Sequence, residues 1–205
     1  GVITQSSMLL LGIAERLELD GAGAAHLERV LHLVNRQEQL LNQLNELLVV
    51  DAQGRWLMSS KGTFPPGTQS ADRDFFTHHR DDPSSGIYIG PPIRSRSTSE
   101  WVITISRRYT DSEGQFAGVV VVTLGVENFL RLFGKIDIGE QGAISLSTPG
   151  GQLLVRHPFR EQDLGRDFSQ SPNFLRHYAG AMSGTAGPRM KSSTCGRIAS
   201  SSCGA

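Results

Sequence analysis

Cysteine is nearly absent from this chain: of 205 residues only Cys195 and Cys203 carry a thiol, and both fall in the last eleven positions. The body before them therefore folds without disulfides, and the spacing of the pair fits neither a zinc pattern nor a CxxC redox site. Lysine is scarce as well, occurring only at 61, 135 and 191, so arginine carries most of the positive charge. The 20 basic and 20 acidic side chains cancel. No net field remains to draw in nucleic acid or an anionic membrane. No apolar run reaches the roughly 18 residues that span a bilayer, and no secretory leader is visible. Gly-x-Ser-x-Gly, His-Glu-x-x-His and P-loop motifs are missing, so nothing in the chain reads as an enzyme.

What is present is ordinary globular material, 38% hydrophobic and 20% charged, with length for one large domain or two small ones. The N-terminus opens in mid-pattern, as expected where a preceding segment has been cut away. Residues Val2 to Leu19 read as helix, with Ile3, Met8, Leu10, Leu11, Ile13, Leu17 and Leu19 as the apolar positions. Asp20-Gly21-Ala22-Gly23 breaks it. A second helix is expected from Ala24 to Glu46, its buried stripe marked by Leu27, Val30, Leu31, Val34, Leu41, Leu44 and Leu48. The Gln/Asn-rich end, Gln37 to Asn45, reads as a solvated face.

Strands follow. Leu47 to Val50 and Arg55 to Ser60 flank Asp51-Ala52-Gln53-Gly54, a tight turn whose glycine tolerates positive φ. The Pro65-Pro66-Gly67 loop leads to a short helix carrying Arg73, Phe75 and Phe76, with Ser70 or Asp72 as its cap. Ile87 to Gly90 is apolar and aromatic, and Ile93 to Arg96 reads as strand. Trp101 to Tyr109 and Phe116 to Leu124 are β-branched or aromatic nearly throughout, joined by the turn Asp111-Ser112-Glu113-Gly114. A short helix, Glu127 to Phe133, leaves the sheet.

An internal repeat is visible. The run from Leu47 to Leu57 is echoed by Ala143 to Leu153, Gly54 aligning with Gly150. Each copy leads through a Pro-containing loop to an aromatic helix, Phe75-Phe76 in the first and Phe174 to Tyr178 in the second. The second copy then gives way to Ser192 to Ala205, rich in Ser, Gly and Cys and without the alternation of a strand. An artificial or out-of-frame end, a truncation, or a flexible linker would each explain it.

Three motifs in order, Ala71-Asp72-Arg73-Asp74-Phe75-Phe76, Ile89-Gly90-Pro91-Pro92-Ile93-Arg94-Ser95-Arg96 and Trp101-Val102-Ile103-Thr104-Ile105-Ser106-Arg107-Arg108, resemble the double-Cache sensor domain over roughly residues 1 to 185. The nearest similarity is to extracytoplasmic domains of bacterial membrane diguanylate cyclases (GGDEF proteins) and sensor histidine kinases. That resemblance implies an α+β fold: a long N-terminal helix plus tandem PAS-like modules with antiparallel sheets, the second incomplete. It divides the chain into a helical stalk over 1–46, a membrane-distal ligand module over 47–134, a partial membrane-proximal module over 142–188 and an atypical tail over 189–205. It further implies periplasmic exposure of an inner-membrane protein anchored by flanking segments absent here, a homodimer through the N-terminal helix, and a cyclase or kinase as output.

In amino-acid-binding members, an Arg-x-Trp-Tyr segment holds the ligand carboxylate; Arg73-Asp74-Phe75-Phe76 occupies its place, with Phe for both aromatics. Those members also carry an Asp after the last distal strand for the ligand ammonium. The corresponding position here is Gly125, with Glu127 two residues on. A small organic acid is therefore favoured over an amino acid, without cofactor or metal.

The expected ligand-binding residues are Arg73, Phe75, Phe76, Tyr88, Trp101, Thr104 and Ser106. Arg73 offers a two-pronged contact to a carboxylate; the bland reading is a salt bridge to Asp72 or Asp74. Tyr88 closes a pocket or is a core aromatic with a wet tip. Thr104 and Ser106 share one face of their strand, donors if that face is concave. His78 and His79 diverge on a helix, a poor metal pair, and read as surface residues. Arg94, Arg96, Arg107 and Arg108 are expected to pair with Asp81, Asp82, Asp111 or Glu113. The competing class is a non-ligand-binding structural, dimerisation or interaction module whose pocket is filled by Phe76 and Tyr88.

Overall fold

The computed structural model describes residues 1–36, 44–84, 86–140, 142–178 and 192–194. The chain divides into two compact units, Gly1–Val126 and Glu127–Ala205. The fold is α+β, helices with antiparallel sheets, as the resemblance implied.

The first unit opens with helix α1 (Val2–Asp20) and α2 (Ala24–Asn35). Strands β1 (Glu46–Asp51) and β2 (Trp56–Ser59) form a hairpin, followed by α3 (Asp74–Asp81) and the short strands β3 (Tyr88–Ile89) and β4 (Ile93–Arg94). The long strands β5 (Trp101–Thr110) and β6 (Phe116–Gly125) complete an antiparallel sheet of order β2-β1-β6-β5-β3, with β4 also paired to β5. Nearly continuous β-branched sequence suits β5 and β6 because the sheet is covered on both faces. Helix α1 packs on β5 and β6, and α3 packs on the same two strands. One side of the sheet presents Leu48, Val50, Val119 and Val121 to Phe75 and Phe76 of α3.

Helix α1 buries Ser6, Leu10, Ile13, Ala14 and Leu17. Met8 and Leu19, expected in the stripe, are 70% and 85% exposed. They lie off the face that meets the sheet, and small Ser6 and Ala14 permit the close approach instead. Helix α2 ends at Asn35 rather than Glu46. Leu27, Val30 and Val34 are buried as expected, but Glu46 opens β1, where its backbone pairs with Thr123. At Glu46 tertiary pairing overrides helix propensity. Leu41 and most of the Gln/Asn-rich run lie outside the described residues.

In the second unit, β7 (Ile144–Ser147), β8 (Leu153–His157) and β9 (Ser192–Thr194) form a sheet of order β8-β7-β9. Helix α4 (Val126–Phe133) begins at the division between units, and α5 (Pro172–Tyr178) follows a turn of 3-10 helix at Glu161–Asp163. The pairing of Ser192–Thr194 with β7 corrects the expectation that this segment is no strand. A short edge strand needs main-chain pairing, not side-chain alternation. Cys195, Cys203 and the rest of the tail lie outside the described residues.

The repeat is real at the level of individual hydrogen bonds. Gly54 N donates to Asp51 O at 2.9 Å and Gly151 N to Thr148 O at 3.0 Å. Trp56 N donates to Thr68 O, and Leu153 N to Arg166 O. Ser70 N reaches Gly54 O at 2.7 Å, and Phe168 N reaches Gly151 O at 2.8 Å. Isolated bridges Arg55–Gln69 and Gln152–Asp167 match as well, as do the register shifts at Val49/Val50 and Leu146/Ser147. The equivalent of Gly54 is therefore Gly151, one residue beyond the sequence alignment. Gly54 has φ +79 and Gly151 φ +93, and a Cβ on either would stand 2.6 Å from a backbone nitrogen, that of Ala71 or Ser169.

Candidate functional site

The site begins at the N-terminus of α3. Arg73 is the N-cap residue with extended backbone, and among the described residues no side chain caps the helix. The two expected caps are engaged elsewhere: Ser70 Oγ accepts from Trp56 Nε1 at 2.8 Å, and Asp72 pairs with Arg96 at 2.7 Å. The Arg96 hydrogen bond holds the Asp72 carboxyl below the usual range. Asp74 accepts the hydroxyl of Tyr88 in a short hydrogen bond. Arg73 is thus left without a carboxylate within ion-pair distance among the described residues. It is half-buried, and one end donates to Arg94 O at 2.9 Å. Burial, with Arg96 nearby, pulls its pKa below the usual arginine value. A planar guanidinium with spare donors at a helix start is suited to a carboxylate.

Beneath Arg73 lies a half-open cleft of about 20 Å³. Its apolar walls include Leu48, Trp56, Phe75 and Ile93, and its polar side is Glu46, Thr104 and Thr123. Strand register puts these three in one row: Thr123 is opposite Glu46 on β1 and opposite Thr104 on β5. All three are buried, Glu46 at 2% exposure. Ser59 Oγ donates to one carboxylate oxygen of Glu46 at 2.6 Å, and Ser97 Oγ donates to the other.

Of the seven residues expected from sequence, Arg73, Phe75 and Thr104 line this cleft. The other four are placed elsewhere. Phe76 is in the core, edge-on to Phe116. Tyr88 stacks on His78 with ring centroids 3.7 Å apart; burial first, then Asp74, raises its pKa. Trp101 carries the Arg94 guanidinium 4.5 Å above its ring. Ser106 shares a sheet face with Thr104, as expected, but its hydroxyl meets His79 Nε2 at 3.0 Å.

His79 is no surface residue: it is 1% exposed, because α3 turns this side of the helix onto the sheet. Among the described residues its Nδ1 has no hydrogen-bond partner. Burial, and then His78 beside it, push its pKa down to about 4. The arginine cluster is also held differently from expectation. Arg108 donates to the carbonyls of His79 and Asp82 rather than to carboxylates, and lies over Phe116. Its extended strand points it across the sheet to the end of α3, where carbonyls are unpaired.

Glu46 and Thr123 escaped the sequence reading, the first assigned to a helix, the second hidden in a valine run. Gly125, the position expected from the resemblance to hold an ammonium partner, ends β6 opposite Val102. Glu127 is exposed in the first turn of α4. A larger cavity of about 90 Å³ between α1 and α2 is lined by Arg16, His26 and Arg29 and contains none of the expected residues.

No known family profile matches the chain. A segment is 26% identical over 108 residues to the methyl-accepting chemotaxis protein McpA of Bacillus subtilis, covering 53% of this chain. The match spans only 15% of that relative. Among solved structures, the extracellular domain assigned to the histidine kinase rpHK1S-Z16 is 28% identical, with TM-score 0.69, covering 85% of this chain and 70% of that one. The ligand-binding domain of the Pseudomonas fluorescens chemoreceptor CtaA, in complex with L-serine, is 19% identical with TM-score 0.62, covering 82% and 69%. That of the Pseudomonas aeruginosa PAO1 chemoreceptor PctB, in complex with L-Gln, is 18% identical with TM-score 0.65, covering 82% and 66%. The last two establish a shared fold. The structural neighbours are sensor and ligand-binding domains of membrane receptors, not enzymes.

Proposed function

We propose that the chain is the extracytoplasmic sensing part of a bacterial inner-membrane receptor, and that its first unit binds a small carboxylate-bearing metabolite beneath Arg73. The observation that carries this reading is Arg73 itself: a half-buried guanidinium, free of any carboxylate among the described residues, at the edge of a cleft. The fold shared with receptor ligand-binding domains supports the same reading. In this proposal residues 47–134, with Glu46 at the head of β1, form the ligand module, 142–188 the second module, and helices α1 and α2 pair two copies. Binding biases how the module sits on α1, and its reach is limited by the ligand's differential affinity for the two states. The output is a chemotaxis, kinase or diguanylate cyclase module elsewhere in the full-length protein.

One observation favours a second reading. The cleft is small, about 20 Å³, little more than the room a water molecule takes, as expected of a module that signals through protein contact. Thermal unfolding with organic acids and amino acids, on the wild-type chain and Arg73→Ala, separates the two. A ligand at a hundredfold excess over its Kd stabilises by about 2.7 kcal/mol. A shift that vanishes in Arg73→Ala supports the sensor; no shift with any compound leaves the interaction module.

A further inference from the structure

The space between α1 and α2 is roomier than the cleft beneath Arg73, about 90 Å³ against about 20 Å³. A water molecule needs roughly 10–15 Å³, so this cavity has room for a small polyatomic ion. Leu17 and Val30, both buried, give it an apolar wall. Its charged and polar lining comes from both helices: Arg16 and Asp20 from α1, His26 and Arg29 from α2. Neither guanidinium forms an ion pair among the described residues. Asp20 stands one turn beyond Arg16, but a base placed before an acid is the weaker order at this spacing. The Nδ1 of His26 is buried and has no hydrogen-bond partner among the described residues, whereas the large majority of buried polar atoms have one. Two arginines and a buried ring nitrogen thus line one small space with hydrogen-bonding capacity unused.

We propose that this cavity binds inorganic phosphate, bridging Arg16 on α1 to His26 and Arg29 on α2. The planar guanidinium forks match the spacing of oxyanion oxygens. His26, with its ring proton on Nδ1, adds a neutral donor at the buried side. Asp20 sets the selectivity. A carboxylate repels every anion, but inorganic phosphate keeps a proton at neutral pH and can donate it to Asp20. Sulfate has none to donate, and a phosphate monoester, with its second pKa near about 6, has lost most of its own. None of these residues belongs to the cleft beneath Arg73, so this inference stands or falls apart from the ligand reading there.

The test measures binding of inorganic phosphate, sulfate and glycerol 3-phosphate to the 205-residue chain by calorimetry at pH 7, at matched low ionic strength. Wild type is compared with Arg16→Gln/Arg29→Gln and Asp20→Asn, and thermal unfolding checks that each variant folds. All three positions are exposed, and glutamine is a good helix former. Phosphate is expected to bind wild type about tenfold to a hundredfold more tightly than sulfate or the ester, the scale of a hydrogen bond to a charged group. The double arginine variant is expected to weaken phosphate binding by at least about a hundredfold. Asp20→Asn is expected to bring the ratio of phosphate to sulfate down to about twofold. No phosphate binding to wild type overturns the inference, as does binding unchanged in the double variant. Phosphate binding that survives the double variant and disappears in Arg73→Ala puts the anion in the other cleft and also overturns it. Sulfate or the ester binding as tightly as phosphate overturns the assignment of inorganic phosphate.

Discussion

His79 and Ser106 are 27 residues apart in sequence and meet side chain to side chain at 3.0 Å inside the first unit. The imidazole is pinned between helix and sheet in its neutral form. Burial, reinforced by His78, pushes its pKa down to about 4, whereas an unfolded chain holds the proton up to about 6.5. Between these values the unfolded state binds more protons, so stability rises with pH through the window. Above it the group exacts nothing; below it the full penalty applies. Urea unfolding at pH 7, 6 and 5 is expected to show progressive loss, reaching up to about 3 kcal/mol near pH 4. In His79→Gln the slope across this window flattens. The carboxyls of Asp72, Asp82 and Asp167, lowered from 3.8, titrate below it and do not mimic the effect.

Trp56 Nε1 and Ser70 Oγ form a buried hydrogen bond at 2.8 Å that ties β2 to the segment entering α3. Trp56→Phe is expected to cost about 1–3 kcal/mol, from the lost bond and the ring volume. Ser70→Ala should cost less. Urea denaturation of both singles and the double is expected to give a coupling of about 1 kcal/mol; simple additivity would mean the bond contributes nothing.

Gly54 and Gly114 both have positive φ in tight turns, but only Gly54 is crowded, with Ala71 N 2.6 Å from the place of a Cβ. Gly114→Ala is expected to lose only the conformational cost of about 1–2 kcal/mol. Gly54→Ala adds a backbone clash, and the expected loss exceeds that of Gly114→Ala by roughly 1–3 kcal/mol. Thermal unfolding of the two variants side by side decides it.

The Asp72–Arg96 pair, though 2.7 Å long, has a carboxylate 61% exposed. Asp72→Asn is therefore expected to change stability by less than about 1 kcal/mol, and less still in high salt. A larger, salt-insensitive loss in urea unfolding would show that the pair orders the entry to α3.

Sequence carried most of the strands because β-branched runs between Gly-containing turns permit little else. Where it failed, the cause was long-range. The adjacent glycines Gly150 and Gly151 made the repeat ambiguous by one residue, and the repeated hydrogen bonds together with the approach of Ser169 select the second. Glu46 looked helical because the segment before it is rich in helix formers; pairing with Thr123 pulls it into the sheet. The cleft itself was half legible. Arg73, Phe75 and Thr104 stand in recognisable motifs, whereas Glu46 and Thr123 reach them only through strand register. His79 is buried because of how α3 is rolled on the sheet, and adjacency to His78 gives no hint of that.

The bonds repeated in both hairpins run from main chain to main chain: Ser70 to Gly54 and Phe168 to Gly151, Trp56 to Thr68 and Leu153 to Arg166. Such a frame survives duplication and drift, because amide groups persist whatever side chains they bear. Outside the glycines, its two copies are free to diverge in every side chain the frame does not need. Chemical taste is thereby uncoupled from the ability to fold. An ancestral module of this kind can be copied first and taught a new stimulus afterwards, a few cleft positions at a time.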